Sequence, residues 1–261
     1  MSEENASEWQ APPPPENIPA GEQPQMSELA MIGNVFIEPG SVFDDQRRKP
    51  RFWIGGLLLV LTFSLFQIAF IEKFGLDKIT RARIESSSRM ADLPTDQKDK
   101  MIEQQSGPIA KYITIGATPI VMIIIFLLGG LIYWLGANAM GGSATYFRGV
   151  AVWIYASLPT AIVFTLANVI VMFLKDPDLI DLATSQGGLV HANLGFFLDQ
   201  KSMPVAYALA SSVDFFAIWG WVLAAIGLQR VAKISSGAAW AIVLMVGLVG
   251  VALKVVGALF F

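Results

Sequence analysis

Long apolar runs separated by short polar stretches dominate this 261-residue chain. Five of them reach the ~20 residues that a helix needs to cross hydrocarbon. They lie near 52–72, 112–136, 147–173, 205–229 and 236–260. Pro119 and Pro159 fall inside the second and third runs, where each removes one helix hydrogen bond and favours a kink. The linker GANAMGGSATY between those two runs is short and glycine-rich, which predicts a tight turn rather than a domain. The pattern as a whole predicts an all-α integral membrane protein with five transmembrane helices.

The first fifty residues follow a different pattern. Residues 1–26 are rich in Pro, Glu, Gln and Ala and include the run PPPP. Such a segment buries too little apolar surface to offset its ordering entropy, so a disordered tail is expected. No short apolar core with a cleavage site precedes the first run, so no signal peptide is read. Over 27–51 the apolar residues Leu29, Ile32, Val35 and Phe36 recur at helical spacing, as in an amphipathic helix lying in the membrane interface. Ser41 is read as an N-cap, with Asp44 three residues on. Arg47, Arg48, Lys49 and Arg51 then stand against Trp53, a basic and aromatic edge that anchors the first span. Residues 52–261 form the five-span domain.

Two connecting segments are longer. Within 73–111, LPTDQKDKMIEQQSGP reads as one helix with Thr95 as N-cap and Gly107-Pro108 as terminator. Residues 174–204 carry Lys175 and Lys201 against Asp176, Asp178, Asp181 and Asp199, with an apolar patch at Phe196 and Phe197 that could dip into the interface. The basic cluster at 47–51, Arg148, Arg230 and Lys233 would share one side of the membrane. By the positive-inside rule that side is cytoplasmic, with the N-terminus inside and the C-terminus outside. The segment 73–111 runs against the rule, because it holds eight Lys or Arg on the opposite side.

Composition narrows the chemistry. Charged residues make up 15%, against about a quarter in soluble domains, and the net charge is −3. No basic stripe interleaved with aromatics marks a nucleic-acid partner. There is no cysteine and a single histidine, His191, so no cofactor or multi-histidine metal site is expected within one chain. GxGxxG, GxxxxGK[ST], HExxH and GxSxG are all missing. KDPDLIDL lacks the glycine and distal glutamate of a calcium loop and reads as a solvated acidic face. Ser157, Ser211 and Ser212 have no histidine at membrane depth to activate them, and His191 reads as a surface residue.

The polar residues inside the spans are the remaining candidates. Asp214 interrupts ALASSVDFFAIWGWVL, and on a continuous helix it would share a face with Tyr207, Ala210, Ser211, Ala217 and Trp221. Lys254 in the fifth span shares a face with Gly247, Gly250 and Gly257, which reads as a closely approached helix surface. Asn168 shares a face with Thr165 and Ala161 in the third. Counted along an antiparallel hairpin, Asp214 and Lys254 differ in depth by roughly 5 Å. Asp214, Lys254 and Asn168 thus form a candidate intramembrane polar cluster. Lys254 could snorkel to the interface, pair with Asp214, or act functionally; Asp214 could act, pair, or sit protonated.

EPGSVFDDQRRKPRFWIGGLLL and VDFFAIWGWVLAAIGLQRVAKISSGAAWAIVL resemble the Yip-type domain of Rab-interacting membrane proteins, in its bacterial form. FRGVAVWIYASLPTAI is similar to the family's third-span entry with its mid-helix proline. The resemblance covers roughly residues 27–260. It implies five spans, a cytosolic N-terminus and no established enzymatic activity, and a bacterial cytoplasmic membrane is the expected location. Eukaryotic members are associated with Rab GTPases, but their tyrosine and glycine motifs have no counterpart here. The architecture carries over and Rab binding does not. The partners expected are the lipid bilayer and other membrane proteins, or further copies of the chain. The alternative is a small transporter that uses the Asp214–Lys254–Asn168 cluster and helices broken at the two prolines.

Overall fold

The computed structural model describes residues 23–87, 90, 93–182, 185, 188–200 and 202–260. The segment 1–22, most of the tail expected to be disordered, lies outside the described residues. Ten α-helices account for most of the rest: α1 (Glu28–Asn34), α2 (Pro39–Arg48), α3 (Trp53–Phe74), α4 (Leu76–Ser86), α5 (Thr95–Ser106), α6 (Pro108–Ala139), α7 (Tyr146–Leu174), α8 (Pro204–Ala210), α9 (Phe215–Ala232) and α10 (Ser236–Phe260). Five of these, α3, α6, α7, α9 and α10, are long and apolar enough to cross a membrane. A helix satisfies its backbone groups internally, which is what a lipid environment demands.

α7 is the centre of the bundle and packs on α6, α9, α3 and α2. Tyr155, Ile154 and Leu158 are its fully buried anchors. Its contact with α6 is made backbone to backbone. A Cβ at Gly149 would lie 2.4 Å from the Gly130 carbonyl oxygen, and one at Gly130 would lie 2.8 Å from the Val150 nitrogen. Trp153 covers Gly129 just as closely. Where hydrocarbon surrounds the helices, small residues of this kind let dispersion contacts accumulate. Thr118 of α6 adds a hydrogen bond to Gln67 of α3. By contrast α10 sits at the periphery, on α9 and α8, and turns most of its surface outward.

The two ends of the bundle differ. At the N-terminal face the turns 140–145 and 233–235 meet, with the Ser143 amide donating to the Ala232 carbonyl at 3.1 Å. Here α2 lies across α9, and Phe43 fits against Gly227, where a Cβ would come within 2.9 Å of its ring. At the opposite end, the loop face, α4, α5 and the described residues between α7 and α8 gather. Lys73 donates to the Met172 carbonyl, and Glu72 pairs with Lys111 at 2.7 Å, tying the tops of α3, α7 and α6.

A buried carboxylate organises the N-terminal face. Asp45 is fully buried and accepts from the backbone of Gln25 at 2.6 Å, from Arg48 at 3.4 Å and from Arg51. Beside it the buried Gln46 forms a two-way bridge with the Arg51 backbone, at 2.6 and 2.7 Å. Glu28 reaches the Ile54 amide at 3.2 Å, at the start of α3, and Arg230 pairs with Asp44 at 2.9 Å. Two members of the predicted membrane-edge cluster, Arg48 and Arg51, are therefore engaged with protein. Arg47 is half-buried, while Lys49 and Trp53 are exposed. α1 and the three residues after it bury Met31 and Val35 against the body and leave Leu29, Phe36 and Ile37 exposed.

Several sequence expectations need correction. Ser41 is not an N-cap: α2 starts at Pro39, whose fixed φ suits a first helical position, and Ser41 Oγ donates to the Glu38 carbonyl at 2.7 Å. Thr95 is the first residue of α5 rather than its cap, a place taken by Pro94. Residues 76–86 form a helix where a loop was expected, burying Thr80, Ile84 and Ser86. The fourth span, read as continuous over 205–229, is two helices broken at 211–214.

The Asp45 knot sets a stability prediction. Asp45→Ala leaves Arg51 facing a buried, uncompensated site and should lower unfolding free energy by about 3–5 kcal/mol. Chemical unfolding in detergent micelles measures it; a loss under about 1 kcal/mol would mean that the knot is incidental.

Candidate functional site

The break in the fourth span is built from its own side chains. After α8, the hydroxyls of Ser211 and Ser212 both donate to the Ala208 carbonyl, at 3.1 and 2.8 Å, closing the end of that helix. Asp214 then takes an extended backbone conformation, and its carboxylate accepts from the Ala217 amide at 3.0 Å. It is an N-cap, the role that short acidic side chains fill at helix starts, where the helix dipole favours negative charge. The expected face joining Asp214 to Tyr207 and Trp221 along one helix therefore does not exist.

The loop 188–200 folds down onto this break. The Phe215 amide donates to the Ala192 carbonyl at 3.0 Å, and the Leu194 amide to the Val213 carbonyl at 3.3 Å, in an isolated antiparallel bridge. Asn168 of α7 holds the other end of the loop. Its fully buried side chain accepts from the amides of Leu189 and, at 3.2 Å, Val190, and donates to the Phe164 carbonyl at 2.7 Å. Gly188 is needed beside it: φ is +128°, and a Cβ would stand 2.9 Å from the Asn168 oxygen.

These elements enclose a cavity of about 760 Å³ on the loop face. Asp214 and Lys254 both line it, with Tyr207 of α8, Arg83 of α4 and His191 of the loop. Phe164 and Phe216 supply apolar wall, their rings meeting edge to face at 5.2 Å. A second cavity, about 360 Å³, lies between α7, α9 and α10 and shares Lys254, Ser212 and Phe216 with the first.

Of the three candidate residues, two reach the same cavity, and none forms an ion pair among the described residues. Asp214 is engaged with the α9 backbone, and Lys254 has no hydrogen-bond or ion-pair partner among the described residues. Asn168 belongs to the frame that positions the loop and does not line the cavity. The glycines around Lys254 also differ from expectation. Only Gly247 is closely approached, by Trp221 at 2.8 Å, whereas Gly250 and Gly257 face open space. His191 lines the cavity, its ring 5.9 Å from that of Phe196. Arg83 was missed because helix α4 was not recognised.

Depth is corrected as well. Asp214 is 18 residues before the end of α9 (232 − 214), and Lys254 is 18 residues after the start of α10 (254 − 236). Each therefore stands roughly 27 Å from the turn at 233–235, at ~1.5 Å per residue. That is close to the far edge of a ~30 Å hydrocarbon layer rather than its middle.

Asn168→Leu removes the acceptor for two loop amides. Hydrogen exchange at Leu189 and Val190 should accelerate, with a stability loss of about 1–3 kcal/mol. Unchanged exchange at both amides would show that the loop is held by other means.

The comparisons with known proteins agree with this architecture. The family model for the Yip1 domain matches residues 33–257, a stretch that begins inside α1 and ends beyond Lys254. The chain is 27% identical over 217 residues to "Membrane protein YknW" of Bacillus subtilis (strain 168), an overlap covering 82% of this chain and 84% of that protein. No solved structure matches. With five span-length helices and a family match over nearly its whole length, this chain is an integral membrane protein that belongs to the Yip1 domain family.

Proposed function

We propose that the chain is a non-enzymatic organiser of membrane partners in a bacterial cytoplasmic membrane, working from its N-terminal face on the cytoplasmic side, with the C-terminus outside. The observation that carries this reading is the fixed platform of α1 and α2. The Asp45 knot locks both helices to the body, and the Gln25 amide bound by that carboxylate fixes where the preceding tail leaves it. Leu29, Phe36 and Ile37 are exposed on this platform, as are Lys49 and Trp53 at the start of the bundle. Apolar side chains beside basic and aromatic ones suit the lipid interface and the membrane-embedded surfaces of other proteins. Affinity purification in mild detergent should recover the same partners, or further copies of the chain, from independent preparations. The triple change of Leu29, Phe36 and Ile37 to Ser should lose them. A chain that repeatedly brings down nothing overturns the reading.

A second reading, a small transporter, draws on the broken fourth span and on two neighbouring cavities that share Lys254 in their walls. Discontinuous helices with polar ends in a cavity are a recurring transporter device. Proteoliposomes should then carry a solute across in a manner that Asp214→Asn reduces on the order of tenfold, the loss of one charged hydrogen bond. Equal flux in wild type and variant removes the idea.

A further inference from the structure

We infer that the loop-face cavity binds the headgroup of an anionic phospholipid, with Lys254 as its counter-charge and an acyl chain lying in the adjoining apolar cavity. This goes beyond the platform reading and rests on the opposite end of the molecule.

Charge inside the cavity is unbalanced in a particular way. Its carboxylate, Asp214, is already engaged with the first turn of α9. The two cationic side chains that line it among the described residues, Lys254 and Arg83, have no hydrogen-bond or ion-pair partner among those residues. A lysine on a membrane-spanning helix normally pairs, snorkels or marks a binding site. Here its neighbours Gly250 and Gly257, one turn to either side, leave open space beside it where larger residues would have packed. The Tyr207 hydroxyl adds a hydrogen-bond donor to the same wall. A phosphodiester offers one negative charge and several acceptor oxygens, which matches these groups.

Depth and shape select the source of that phosphate. Lys254 stands roughly 27 Å from the α9–α10 turn, where the hydrocarbon gives way to headgroups. Below it, toward the membrane centre, the second cavity is walled by Trp153, Trp221, Val243 and Val246. The two cavities meet at Lys254 and Phe216. Two mostly apolar cavities that share Lys254 in their walls, with the cationic groups Lys254 and Arg83 on the one at headgroup depth, fit an amphiphile better than a small soluble anion.

The full-length protein in a neutral detergent can be titrated with phosphatidylglycerol, with phosphatidylcholine of the same chains, and with inorganic phosphate, counting bound molecules by native mass spectrometry. One phosphatidylglycerol per chain should be retained in preference to phosphatidylcholine. Lys254→Gln should weaken that retention on the order of tenfold or more, as expected for losing one charge-assisted hydrogen bond. Lys254→Arg should preserve it, and Lys175→Gln, an exposed lysine on the same face outside the cavity, should leave it unchanged. Gly250→Leu, which meets nothing within 4 Å, gives a test independent of the charge by filling the apolar cavity, and should also reduce retention. Equal retention of the two lipids, no effect of either Lys254→Gln or Gly250→Leu, or an equal loss in Lys175→Gln overturns the inference. So does inorganic phosphate that binds through Lys254 while no lipid is retained.

Discussion

Water does not reach the hydrocarbon core of a bilayer, so a polar group there must find its partner inside the protein. Four polar side chains of this molecule follow that constraint and each places a piece of backbone as it does so, whereas the hydroxyls of Ser64, Tyr155 and Thr165 are buried without a partner among the described residues. Asn168 takes up two loop amides and one carbonyl of its own helix. Asp214 starts α9, and the two serines before it finish α8. At the other end Asp45 and Gln46 bind the chain on both sides of α2. Polar residues that look like interruptions of an apolar pattern thus act as the joints of the fold.

Between these joints the bundle depends on close approach. Since lipid is as apolar as leucine, helices gain little by hiding apolar side chains from it, and backbone proximity matters more. The α6–α7 contact at Gly130 and Gly149 is the tightest expression of this, and it lets α7 serve as the central post. α10 makes no comparable contact along most of its length. Gly250 and Gly257 face space rather than a neighbour, and that looseness borders the two adjacent cavities beside Lys254.

The two faces are consequently different objects. The N-terminal face is a closed knot of ion pairs with an apolar rim, suited to presenting a segment or docking a partner. The loop face is hollow, with cationic groups and hydroxyls turned inward.

Length and hydropathy by themselves determined the five spans, because twenty apolar residues have few alternatives to crossing a membrane. The turn at GANAMGGSATY and the terminator Gly107-Pro108 were equally legible, since glycine and proline act locally. The family likeness was legible too, being carried by those same patterns. The break at 211–214 was not, although SSVD holds the signal: an aspartate three residues before Ala217 is an N-cap, and uniform hydropathy on either side concealed it. The roles of Arg48, Arg51 and Asp45 were also hidden, because a basic cluster before a span reads the same whether it faces lipid or a buried acid. Only the tertiary structure decided which polar residues meet. Their partners lie up to 186 positions away, as for Asp44 and Arg230. Local propensity has no access to such distances; the packing of α2 on α9 and of the outer loop on the broken fourth span creates them.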